Sequence, residues 1–138
     1  MPTRARALEF EVTVDRDRTV RSALGGLPIP AEEAWSAEHL VLAALVRCTL
    51  TSLDYHVRQA GLTASGSGQA HGVVTRREAD GLYAFVEIKA RYEVEFDETP
   101  ERQIVAELAE KAERGCFVGN SLTAKPRYRW TVNGEEIA

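Results

Sequence analysis

Near the start of the chain apolar and polar positions alternate: in L-E-F-E-V-T-V, Leu8, Phe10, Val12 and Val14 are separated by Glu9, Glu11 and Thr13. Period two puts successive side chains on opposite faces, so the pattern predicts a strand with one buried face. Residues 17–24 predict a second, weaker strand. At Ser36 the pattern changes to that of a helix. Ser36 is a suitable N-cap, and no Gly or Pro interrupts the chain until Gly61, which supplies a C-terminal stop. The first half of this helix, residues 40–50, is apolar on most sides, which predicts a place inside the molecule or at an interface.

Beyond it, T-A-S-G-S-G (residues 63–68) reads as a flexible connection. Strands are predicted at 70–78 and 82–96, joined by the hairpin signal Asp80-Gly81, and the second alternates through Val86, Ile88, Ala90, Tyr92, Val94 and Phe96. Thr99-Pro100 offers an N-cap with proline at the first helical position. Ile104, Val105, Leu108, Ala109 and Ala112 then form the buried stripe of a helix ending at Gly115. A short segment, 116–122, leads into a last strand, R-Y-R-W-T-V. The order β-β-α-β-β-α-β predicts an α+β fold with antiparallel hairpins in one domain, residues 1–138, rather than a doubly wound parallel sheet.

Length and composition narrow the classes. A chain of 138 residues should bury roughly 68–70% of its unfolded surface, enough to fold without a covalent staple. Hydrophobic residues are 44% and charged residues 28%, a globular mixture, and a net charge of −4 argues against a general nucleic-acid binder. The N-terminus has no apolar signal region, and the run L-V-L-A-A-L-V is too short to span a bilayer, so a soluble, cytoplasmic protein is expected. In that compartment thiols stay reduced. The two cysteines, Cys48 and Cys116, are then either inert buried thiols, a redox pair, or a structural bridge; composition leaves all three open.

Context adds to this. S-A-E-H-L-V-L-A-A-L-V-R-C-T-L-T-S-L resembles the central helix of the OsmC/Ohr family, the osmotically inducible and organic hydroperoxide resistance proteins, whose members commonly read P-E-E-L-L-x-A-A-L-x-x-C. A-E-R-G-C-F-V-G-N-S-L resembles that family's second signature, A-x-x-x-C-P-x-S-x-x-L. The resemblance covers nearly the whole chain and implies an OsmC-like fold, with hairpins packed around a long central helix in an intertwined homodimer. It implies a thiol peroxidase acting on organic, lipid-type hydroperoxides in antioxidant defence. Cys48 would be the peroxidatic cysteine and Cys116 the resolving one, forming a Cys48–Cys116 disulfide reduced by an external dithiol such as a dihydrolipoyl protein. No cofactor or metal is implied, and no nucleic-acid or membrane partner.

An ordinary thiol, with a pKa near 8.5, is only about 3% thiolate at pH 7, so the scheme needs a positive partner. In the family this is an arginine oriented by a glutamate in the helix's first turn, which Glu38 matches; Arg21 is the candidate arginine, with Arg18 as the fallback. Each has a plainer reading, Glu38 as a complement to the helix dipole and the arginines as exposed strand charges. Ten residues at 1.5 Å rise put Glu38 about 15 Å from Cys48 along the helix, so if both serve one site Glu38 comes from another subunit.

Three positions depart from the family pattern: Arg47 where a small residue is usual, Phe117 for proline and Gly119 for serine. Leu50, Phe117 and Trp35 are candidate walls of an apolar substrate pocket. His39, His56 and His71 have no metal-ligand spacing. In K-P-R-Y-R-W, period two separates Arg127 and Arg129 from Tyr128 and Trp130, as in a half-buried strand. The alternative function is a non-catalytic OsmC-like protein that binds a small apolar ligand or partner at the dimer interface.

Overall fold

The structure is a computed structural model that describes residues 5–137. It resolves into two compact units, within residues 1–37 and 38–138.

In the first unit β1 (Val12–Val14) and β2 (Val20–Ser22) pair antiparallel, Thr13 opposite Arg21. The turn between them places Arg18 at φ 71°. The strands are shorter than the alternation predicts. A two-stranded ladder has no second layer to bury its apolar side against. Leu8 and Phe10 lie outside β1, and with Val12 and Val14 they are exposed, Phe10 at 81%.

The second unit is built on α1 (Ala37–Gln59) and the strands β3 (Ala64–Arg76), β4 (Tyr83–Phe96), β5 (Arg127–Val132) and β6 (Glu135–Ile137). Sheet order is β3-β4-β5-β6, antiparallel except for the parallel β4/β5 pair. Residues 63–68 are therefore no flexible connection: Ala64 already pairs with Phe96. Their small residues serve packing. A Cβ at Gly66 would lie 3.1 Å from Leu50 Cδ2, and the space beside Gly68 is filled by the Tyr92 ring.

On β4, Ile88, Ala90, Tyr92, Val94 and Phe96 are buried, but Val86 is 40% exposed. The register explains the slip: Val73 faces Glu87 and Val74 faces Phe85, so Val86 is the extra residue of a bulge and the alternation changes phase there. On β5 the arginines point outward while Trp130 is buried.

α2 (Arg102–Arg114) begins after Glu101, not after Thr99. Thr99 is engaged elsewhere, its hydroxyl accepting a hydrogen bond from Asn133. Asn133 also accepts the Phe96 N–H, tying the Asn133-Gly134 turn that precedes β6 to the end of β4. Val105, Leu108, Ala109 and Ala112 are buried, while Ile104 stays on the edge of the stripe. A further helix, α3 (Phe117–Ser121), follows at once.

The core lies where α1 and α2 cover one face of the sheet. α1 inserts a single stripe, Leu45, Thr49, Leu53 and Val57, each four residues from the next and so nearly above one another. Full burial of each apolar side chain in it contributes about 1.5–3 kcal/mol. Among the described residues α1 is also the one helix long and apolar enough to cross a membrane by length and composition. Its other apolar side chains, Leu40, Val41, Leu42 and Val46, are only partly covered, and Ala43 and Ala44 are exposed.

Candidate functional site

Cys48 and Cys116 are free thiols. Cys48 lies at the middle of α1 beside the buried stripe and is partly exposed; Cys116 lies between α2 and α3 and is fully buried. What brings the second to the first is Gly115. It ends α2, donating its N–H to Lys111 O at 2.9 Å, but its φ of −88° is one any residue adopts. Its use is the close approach to α1: a Cβ there would stand 2.6 Å from Ser52 Oγ. Without that side chain the end of α2 meets α1 one turn beyond Cys48, and Cys116 falls against Thr49.

The surroundings of the Cys116 sulfur are polar. It accepts the Gly119 N–H at 3.3 Å, and Thr49 Oγ1 stands 3.3 Å away while also reaching Leu45 O at 2.9 Å. Gly119 is buried, and a Cβ on it would collide with the Tyr128 hydroxyl and lie 3.4 Å from Cys116 Sγ. Burial first, then the charge and hydrogen bonding of Cys116, push the Tyr128 phenol up to about 12. Burial likewise raises the phenol of Tyr92, whose ring stacks with those of Trp130 and Tyr128 on the neighbouring strand. The Tyr92 oxygen is buried without a well-formed hydrogen bond.

Cys48 is held differently. Burial raises its pKa, hydrogen bonding and charge from Cys116 raise it further, and the backbone N–H groups of Val118 and Phe117 pull it down less than these push. The Cys116 side chain thus lies near enough to Cys48 to act on it. The chief groups acting on Cys48 are dipoles and a second sulfur rather than a cation.

The remaining candidates are spread out. Glu38 is exposed in the first turn of α1. Arg21 is on β2, where its Nε donates to Asp15 at 2.8 Å, an ion pair that raises its pKa. Arg47 is exposed, and Phe117 is 59% exposed on α3. Leu50, with Leu42, Val46 and Arg47, lines an open groove of about 560 Å³ between α1 and β3. Trp35 is half exposed in the first unit. Sequence reasoning missed Thr49, Tyr128 and the contact role of Gly119. Thr49 directly follows Cys48, which was a signal; nothing local marks Tyr128.

Residues 30–131 match the protein family described as OsmC-like protein. No curated protein matches at the sequence level. Solved structures do. An OsmC-like protein of unknown function from Vibrio cholerae superposes with a TM-score of 0.78 at 18% identity, covering 90% of this chain and 99% of that one. An organic hydroperoxide resistance protein from Elizabethkingia anophelis, solved with thiocyanate bound, gives 0.64 at 17% identity over 95% and 98%. The organic hydroperoxide resistance protein OhrB of Bacillus subtilis gives 0.57 at 14% identity over 91% and 96%. At such identities the likeness shows a shared fold.

Proposed function

This chain belongs to the OsmC-like protein family, and from that membership we propose that it works in peroxide defence as a cytoplasmic, cysteine-based reductase of organic hydroperoxides. The observation that carries the reading is the pair of free thiols, Cys48 partly exposed and Cys116 buried, with the Cys116 side chain near enough to act on Cys48. The Cys48 thiolate attacks the terminal peroxide oxygen; the O–O bond breaks, the alkoxide takes a proton and leaves as an alcohol, and Cys48 becomes a sulfenic acid. Cys116 then attacks that sulfur, expelling water and leaving a Cys48–Cys116 disulfide. An external dithiol, of which a dihydrolipoyl protein is one candidate, returns the pair to thiols.

A raised Cys48 pKa must be overcome for this chemistry. Arg21 is the candidate cation, oriented by Glu38 of a second copy, since ten helical residues separate Glu38 from Cys48 in one chain. The homodimer is supported by what each unit leaves uncovered: the apolar side of β1 and much of α1.

A second reading, a binding protein without peroxidase activity, has an observation of its own: Arg21 is already paired with Asp15. One experiment separates them. Mixing reduced protein with cumene hydroperoxide should consume both thiols, and Cys48→Ser should abolish the reaction. Persistence of both wild-type thiols, and of the single Cys116 thiol in Cys48→Ser, rejects the peroxidase. A Cys48 pKa well below about 8.5 supports it.

A further inference from the structure

The polar surroundings of Cys116 have a use that the oxidation of Cys48 does not require. A disulfide is reduced fastest when the attacked sulfur is accessible and the departing sulfur is stabilised as a thiolate. In this chain the two properties fall on different cysteines. Cys48 is partly exposed, whereas Cys116 is at 0% exposure, where no incoming thiol reaches it.

Around Cys116 the donors are built in. The Gly119 N–H already points at its sulfur at 3.3 Å. Thr49 Oγ1 sits between Cys116 Sγ at 3.3 Å and Leu45 O at 2.9 Å, and its single proton serves one of them at a time. With a neutral sulfur it satisfies the carbonyl; with a thiolate, rotation about the C–O bond turns it to the charge. Tyr128, whose hydroxyl packs against Gly119, stays protonated far above neutral pH and so remains a donor. The departure from serine at 119 admits this hydroxyl, because a Cβ there would occupy its place. Hydrogen bonds to a charged group are worth about 1.5–3 kcal/mol each, more than neutral ones.

We propose that Thr49, Tyr128 and the Gly119 N–H form a holding site for the Cys116 thiolate, which directs a small thiol reductant to attack the Cys48–Cys116 disulfide at Cys48. The inference rests on the redox-pair reading only in requiring that disulfide. The reductant thiolate bonds to Cys48 Sγ as the Cys48–Cys116 bond breaks, and the bonding pair passes to Cys116 Sγ. A second reductant thiolate attacks the reductant's sulfur in the mixed disulfide, Cys48 leaves and takes a proton from solvent, and the held Cys116 thiolate takes a second proton. Two reductant thiols are oxidised to one disulfide while the protein's disulfide becomes two thiols.

The test forms the disulfide with diamide, so it needs no peroxide. Oxidised full-length protein is reduced with excess 2-mercaptoethanol, quenched with acid at early times, and the adduct located by peptide mass spectrometry. The adduct is expected on Cys48. Thr49→Val and Tyr128→Phe are each expected to slow reduction roughly tenfold, the loss of about 1.4 kcal/mol of leaving-group stabilisation. Thr49→Ser, which keeps the hydroxyl, is expected to retain the wild-type rate, an outcome that mere packing would not produce. An adduct on Cys116, unchanged rates in both variants, or failure of diamide to join the two cysteines overturns the proposal. A protein inert to cumene hydroperoxide that passes this test loses the peroxidase reading and keeps the thiolate site.

Discussion

Glu113, partly buried on α2, accepts the indole N–H of Trp130 at 2.8 Å. Burial pushes its carboxyl up, Trp130 offsets part of that and Glu110 adds to it. The folded state therefore holds this proton more tightly than the unfolded chain does. For a raised carboxyl the contribution favours the folded state below the usual carboxylate range and is lost as pH climbs through the raised value. Glu113→Gln keeps an acceptor for the indole without the buried charge. The variant is expected to match or exceed wild type in urea midpoint at pH 7 and to lose the decline in stability that wild type shows as pH climbs above the usual carboxylate range. Parallel pH profiles for the two proteins would refute this. Residues near the thiols follow the same logic of place: Thr49 is fully buried, and its hydroxyl reaches both the cysteine and a carbonyl one turn earlier.

At the scale of elements, α1 does two jobs with two different faces. Leu45, Thr49, Leu53 and Val57 join it to the sheet and α2, while Leu50 sits at the edge of the groove against Gly66. Leu53→Ala should therefore leave a cavity and cost about 2–5 kcal/mol, and Leu50→Ala distinctly less. Equal losses in denaturant titrations would mean that both faces of the helix are equally enclosed. β3 shows the reverse relation between side chain and packing. Its small residues let α1 approach, which is why composition reads as a loop where the ladder runs unbroken from Ala64 to Arg76 apart from one bulge.

For the whole molecule, the uncovered apolar surface is the leading fact. Leu24 and Leu27 are 95% and 96% exposed, Phe10 and the β1 residues Val12 and Val14 are exposed as well, and in the second unit Ala43 lies in the open groove along α1. Exposed apolar surface of this kind, in each unit taken by itself, is what protein partners cover. Our proposal of a homodimer predicts that light scattering on the eluted protein gives twice the chain mass. Ala43→Glu, which sets a charge in the groove, should shift it toward monomer with an unchanged far-ultraviolet circular dichroism spectrum. A wild-type mass of one chain would reject the dimer.

The sequence by itself determined the long α1 helix, the β4 alternation from Ile88 onward, the stripe of α2, the Asp80-Gly81 hairpin, the α+β class and the family. Each of these rests on local periodicity or on a motif, and neighbours along the chain carry both signals. Tertiary structure decided the rest. The parallel β4/β5 pairing joins strands separated by two helices, and the phase slip at Val86 depends on the partner strand. Gly115 reads as a helix stop, yet its missing side chain matters because Ser52 occupies that space. The polar shell of Cys116 draws on α1, α3 and β5, and no local pattern announces Tyr128, because its relation to the thiol exists only after the sheet has packed against the helices.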